Sequence, residues 1–196
     1  MIIKAIIVVC YITLHTFTVN PGNQSKIFID LFLEPKKVSS GKFKGFDVYD
    51  LSDLMVYQGT GKKRRELYII RRDTDESLLF FQDTITDARI YHLKFFKRDE
   101  QDLRVVIMLD VEGDVSVGQH IFRIRDKEVT YCGFINYAAD DFNFSSLGFH
   151  ARIETVDDRI ILSFDTKNII DYSMDTLIDG SDLKFEIVRH DVIRLQ

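Results

Sequence analysis

The chain has no tryptophan, and only 2 prolines, 2 cysteines and 10 glycines interrupt its 196 residues. Each shortage removes a class of protein. Without an indole platform, a sugar-binding face would have to stack its ligand on tyrosine or phenylalanine alone. So little proline and glycine beside 45% apolar residues is the reverse of a disordered or low-complexity composition, and the length suffices to bury a sizeable core. One domain is the expectation for residues 26–196. Cys10 falls in an N-terminal apolar run, so Cys132 has no partner within the remainder, and its setting in the apolar residues 128–137 reads as that of a small core residue. No apolar run reaches the about 20 residues of a membrane-crossing helix.

Catalytic and cofactor motifs are missing as well. No G-x-S-x-G nucleophile elbow occurs, and Ser145 and Ser146, followed by Gly148, lack its leading glycine. The segment Gly59-Thr-Gly-Lys-Lys-Arg-Arg65 resembles a phosphate loop only superficially, because Val56 stands where the first glycine belongs and Lys63 where Ser or Thr must bind magnesium. His92, His120, His150 and His190 are scattered without zinc-ligand spacing. Carboxylates gather at residues 110–114, 140–141, 157–158 and 179–182, but in patterns that turn chemistry explains as well as calcium does. No metal and no cofactor is therefore expected, and no catalytic residue is assigned.

Two features stand out in what is there. Met1-Ile-Ile-Lys4 followed by the apolar residues 5–14 has the form of an export signal, with polar residues and Pro21-Gly22 behind it. Residues 1–20 are accordingly expected to be a cleaved signal peptide, although the small-x-small cleavage pattern is replaced by Thr16 and Thr18. The second feature is charge. Residues 36–72 hold ten basic and four acidic side chains, whereas residues 100–196 hold ten basic and nineteen acidic ones, within a net charge of -5. An acidic total argues against a dedicated nucleic-acid binder.

From residue 26 onward the dominant signal is alternation of period two, broken by short polar turns. Residues 148–166 read as a hairpin through Asp157 and Asp158, and residues 120–137 as another through Asp126 and Lys127. Further joints are expected at residues 98–102 and 112–114, the latter leading into a short strand at 115–117. Additional strands are predicted at residues 27–33, 46–49, 67–71, 78–82 and 185–192. The strand at 103–109, apolar on both faces, should be central. Two short helices are expected at 51–57 and 169–177. The pattern predicts an all-β antiparallel meander, either a β-sandwich or an up-and-down barrel.

The candidate binding residues are Lys62, Lys63, Arg64 and Arg65, a run of four cations in a turn-forming context. Asn23 and Asn143 head glycosylation sequons. The functional expectation is a non-catalytic domain, secreted or otherwise extracytoplasmic, that contacts a protein or a surface through loops. The competing expectation is a barrel that carries a small apolar ligand.

Overall fold

Residues 103–109 have no polar face, and the fold is built around that fact. The computed structural model describes residues 26–86, 88, 90–98, 103–112, 118–139, 147–171 and 176–196. Strands are numbered in chain order. The central sheet runs β11 (Glu128–Ile135), β10 (Gln119–Arg125), β9 (Leu103–Glu112), β8 (Ile90–Arg98) and β2 (Ile29–Leu31), every neighbour antiparallel. On β9, Val105, Ile107 and Leu109 enter one core while Val106 and Met108 enter another, and all five are fully buried. A strand buried on both faces needs a cover on each side, and here each cover is a sheet.

The first covering sheet is β1 (Lys26–Ile27), β13 (Ala151–Val156), β14 (Arg159–Phe164), β17 (Phe185–Ile187) and β18 (Val192–Arg194). It supplies Ile153, Leu162 and Phe185 to the core shared with Ile107. The second is β3 (Lys36–Lys37), β4 (Phe46–Asp50), β5 (Leu54–Gly59), β6 (Glu66–Arg71) and β7 (Ser77–Gln82), which brings Leu54, Val56, Leu67 and Ile69 against Met108 and Phe122. Arg104 on β9 also reaches this sheet, its Nη1 lying 2.6 Å from Asp53 Oδ1. A small sheet of β12 (Tyr137–Ala139), β15 (Asn168–Asp171) and β16 (Thr176–Asp179) adds Ala139 and Ile169 to the first core. The result is sandwich-like, with the central sheet as the shared filling.

Turn chemistry follows the sequence closely in two hairpins. Asp126 and Lys127 adopt φ of 51° and 66°, and Asp157 and Asp158 adopt 50° and 63°. These left-handed pairs make the tight turns whose twist suits antiparallel strands, joining β10 to β11 and β13 to β14. Of the joints expected at 98–102 and 112–114, Arg98 ends β8 and Glu112 ends β9; the rest of both joints, the strand at 115–117, the leader and both sequons lie outside the described residues.

Four expected elements differ in the structure. Residues 51–57 are not helical, because Ser52 turns left-handed at φ 72° and the Leu51 amide donates to the Leu54 carbonyl at 2.9 Å, closing a hairpin between β4 and β5. Leu54, Val56 and Gln58 then alternate inward with the period of a strand. Of the helix expected at 169–177, the described residues 169–171 and 176–177 belong instead to β15 and β16, where the β-branched Ile169 and Ile170 favour a pleated surface. Residues 27–33 and 185–192 each divide in two. Phe28, buried, separates β1 from β2 and passes the chain from the first covering sheet to the central one, while residues 188–191 turn β17 back into β18. The described residues contain three short 3-10 segments, Gly61–Lys63, Leu147–His150 and Gly180–Asp182, and no helix long and apolar enough to cross a membrane.

Ile107→Ala and Met108→Ala, adjacent in sequence but in different cores, should each cost about 2–5 kcal/mol of stability in urea unfolding. A value near zero for either would mean that its face of β9 is not packed.

Candidate functional site

The loop between β5 and β6 carries the four cations singled out by sequence, and the structure divides them. Gly59 opens the loop where a Cβ would lie 1.9 Å from the Lys63 carbonyl oxygen, so only glycine lets the chain close on itself there. The Thr60 amide and Oγ1 both donate to the Gly45 carbonyl, at 3.0 and 2.7 Å, which docks the loop against the turn before β4. Lys62 and Lys63 point outward. Arg64 does not: its Nε donates to the Ala88 carbonyl at 2.8 Å, and its own carbonyl accepts from Gln58 Nε2 at 2.6 Å. Arg65 is half-buried, with its carbonyl receiving the Asp83 amide at 2.9 Å. Arg64 and Arg65 therefore help to hold the loop, and Lys62 and Lys63 remain as the pair presented to solvent.

Beside that pair lies a feature that the linear sequence conceals. The outward residues of the second covering sheet align across the strands in one row, Lys36, Val48, Tyr57, Tyr68 and Phe80, each the register partner of the next. Phe43, from the turn before β4, stacks on Tyr57 with centroids 4.1 Å apart and planes 20° apart, and Tyr68 meets Phe80 at 4.7 Å. Phe80 keeps 53% of its surface in water. Lysines ring the row. Lys42 Nζ lies 5.2 Å from the Phe43 centroid and Lys63 Nζ lies 5.1 Å from that of Phe46, within the range of cation–π attraction. Burial, and then the neighbouring Glu66, raises the Tyr68 hydroxyl above its ordinary value, which keeps that side chain uncharged at neutral pH.

A second polar constellation lies inside. Asp83, after β7, and His120, on β10, are each about 1% exposed, and His120 Nε2 stands 3.1 Å from Asp83 Oδ1, off the line of a well-directed hydrogen bond. Thr86 Oγ1 and Tyr91 OH both donate to Asp83 Oδ2, and the Ile85 amide donates to Oδ1 at 2.7 Å. On its other side, His120 Nδ1 is 3.1 Å from Tyr131 OH. Burial opposes ionisation of Asp83, but the His120, Thr86 and Tyr91 side chains and the Ile85 amide together outweigh it and hold the carboxyl well below the usual range. The Tyr131 phenol is pushed up to about 12 by burial, with Asp83 and Cys132 adding to it.

Acid, imidazole and phenol in line invite comparison with a catalytic relay, but a phenol near 12 is a weak base and nucleophile at neutral pH. His120 is walled in by Phe81 and Phe134, with centroids 4.9 and 4.8 Å away. The constellation is better suited to clamping residues 83–86 onto the central sheet. No spacing in the sequence signals it, because Asp83 and His120 meet only through the fold.

The remaining candidates fall apart as sites. His92, His150 and His190 sit on different elements, and His150 ends a 3-10 turn instead of lying on the strand expected for it. Asp157 and Asp158 form a turn, and Asp179 caps the 3-10 segment after it by accepting from the Ser181 amide at 2.9 Å. Among the described residues no group of three or more His, Cys, Asp or Glu converges to hold a metal ion. Cys132 is in the first core, its thiol pushed up to about 11, chiefly by burial. Comparisons with protein-family models, curated proteins and solved structures give no match to the chain.

The Asp83 clamp has a pH signature. Because its carboxyl is held low in the fold, its contribution is complete above the unfolded value of about 4 and declines as pH falls below that. Asp83→Asn should lower stability at pH 7 by roughly 3–5 kcal/mol, and it should flatten the acid-induced drop in urea midpoint relative to wild type. Parallel pH curves for the two proteins would show that Asp83 is not the group responsible.

Proposed function

We propose that this chain is a non-catalytic binding domain of an extracytoplasmic space, and that it recognises an acidic protein partner through the outer face of the β3–β7 sheet. The observation that carries the reading is the row Lys36, Val48, Tyr57, Tyr68 and Phe80, extended by Phe43 and flanked by Lys42, Lys62 and Lys63. Flat aromatic area of low side-chain entropy is what protein interfaces favour at their centres, and charges at the rim steer and select the partner. The ten-to-four excess of basic over acidic side chains in residues 36–72 lies almost entirely within this sheet and its loops, while the rest of the chain is acidic. The compartment rests on the export-signal form of residues 1–20.

The run of four cations contracts in this reading to Lys62 and Lys63, since the Arg64 side chain is tied to the Ala88 carbonyl and Arg65 is half-buried. Poly-L-glutamate is a suitable stand-in for an acidic polypeptide. Wild type should bind it with an affinity that falls as salt rises. The Lys62→Ser/Lys63→Ser double variant should bind roughly threefold to tenfold more weakly, with a shallower salt dependence. Phe80→Ala should weaken binding without changing the salt dependence. Unaltered affinity and salt slope in the double lysine variant would overturn the proposal.

A further inference from the structure

Where β2 leaves the central sheet, a groove opens that the basic face does not involve. β2 pairs with β8 only at Phe95, Phe96 and Lys97. Continued in register, Phe32 would lie opposite Lys94 and Leu33 opposite Leu93. Instead the chain peels away over residues 32–35 to begin β3 in the neighbouring sheet. The wedge between the departing chain and the start of β8 has a volume of about 630 Å³, within the roughly 300–1,000 Å³ of sites that hold small organic ligands.

Its walls are apolar, formed by Leu31, Leu33, Tyr49, Tyr91 and Leu93. At its lip, Phe32 is 90% and Ile90 47% exposed. Single exposed apolar residues are ordinary, but two large ones bordering one apolar groove make a continuous surface that gains by being covered. Charge then selects the occupant. Three carboxylates, Asp30, Glu34 and Asp47, line the groove together with Lys94 and His92. Lys94 Nζ lies 3.1 Å from Asp30 and balances it. Among the described residues Glu34 and Asp47 have no ion pair, and Lys37, the register partner of Asp47, makes none with it.

We infer that this groove binds an apolar amine, a molecule with a long hydrophobic body seated between β8 and residues 31–35 and a cationic head drawn to Asp47 and Glu34. The Tyr49 and Phe32 rings add faces on which a cation is stabilised. A carboxylate head would meet the same two acids as like charges, and a neutral head would gain only the apolar contacts. The groove is separate from the basic face, which lies on the outward side of the β3–β7 sheet.

The test uses the full chain and three probes that differ only in the head: dodecylammonium, 1-dodecanol and dodecanoate, each below the concentration at which it aggregates. Calorimetry should rank the amine first, roughly fivefold or more above the alcohol, with dodecanoate weakest. Asp47→Asn combined with Glu34→Gln should bring the amine down to the level of the alcohol and leave the alcohol unchanged. Leu93→Asn should weaken the amine and the alcohol alike. Lys62→Ser/Lys63→Ser should leave amine binding intact, so that the groove and the basic face can fail separately. The amine should also raise the urea midpoint, as a ligand of the folded state must. Equal affinity for amine and alcohol, a preference for dodecanoate, absence of binding by all three, or a lowered urea midpoint would overturn the inference.

Discussion

Burial of both faces of β9 is the constraint from which the remaining architecture follows. Val105, Ile107 and Leu109 on one side and Val106 and Met108 on the other leave no surface that water could wet without cost. One covering sheet would strand half of these side chains, so the chain must fold a second over the opposite face. It accomplishes this with short strands and tight turns, and with a crossing at Phe28, whose amide donates to the Ile153 carbonyl at 2.9 Å as the chain passes from the first covering sheet to the central one. Two polar side chains caught near β9 meet partners there: Arg104 pairs with Asp53, and His120 stands between Asp83 and Tyr131.

Both proposed recognition surfaces arise from how the second core is closed. The β3–β7 sheet commits its inward residues to β9 and β10, which leaves its outward residues to carry Tyr57, Tyr68 and Phe80 in a row beside the lysines. The groove results from the same sheet's need to recruit its first strand: residues 32–35 must abandon the central sheet to reach β3, and the edge they leave is lined by side chains that a continuous strand would have covered. Opposite charge on the two surfaces keeps them chemically distinct, basic around the aromatic row and acidic around the groove.

Much of the fold was legible, and for stated reasons. Alternation of period two survives in strands with one wet face, so β13 could be read, together with the Asp157-Asp158 turn that leads to the apolar run of β14, and the two-sided apolar run at 103–109 gave away the central strand. Local pattern misled where a short apolar run met a turn. Residues 51–57 and 169–177 have few enough residues per element that strand and helix periods cannot be separated, and tertiary pairing decides. The basic loop was legible as a loop, but not the inward turn of Arg64, which depends on the Ala88 carbonyl arriving from another segment. The aromatic row, the groove and the Asp83–His120 contact were not legible at all, because each is made by cross-strand register or by a connection between sheets, which no spacing in the chain encodes.

Native-state hydrogen exchange in rising urea tests the dependence on β9 most directly. If both cores rest on this strand, the amides of Val105, Val106, Ile107 and Met108 should be the last to exchange, opening only with global unfolding, and amides of either covering sheet should open no later than they do. Exchange of these β9 amides at low urea, while the β3–β7 sheet or the β13–β14 hairpin stays protected, would contradict it.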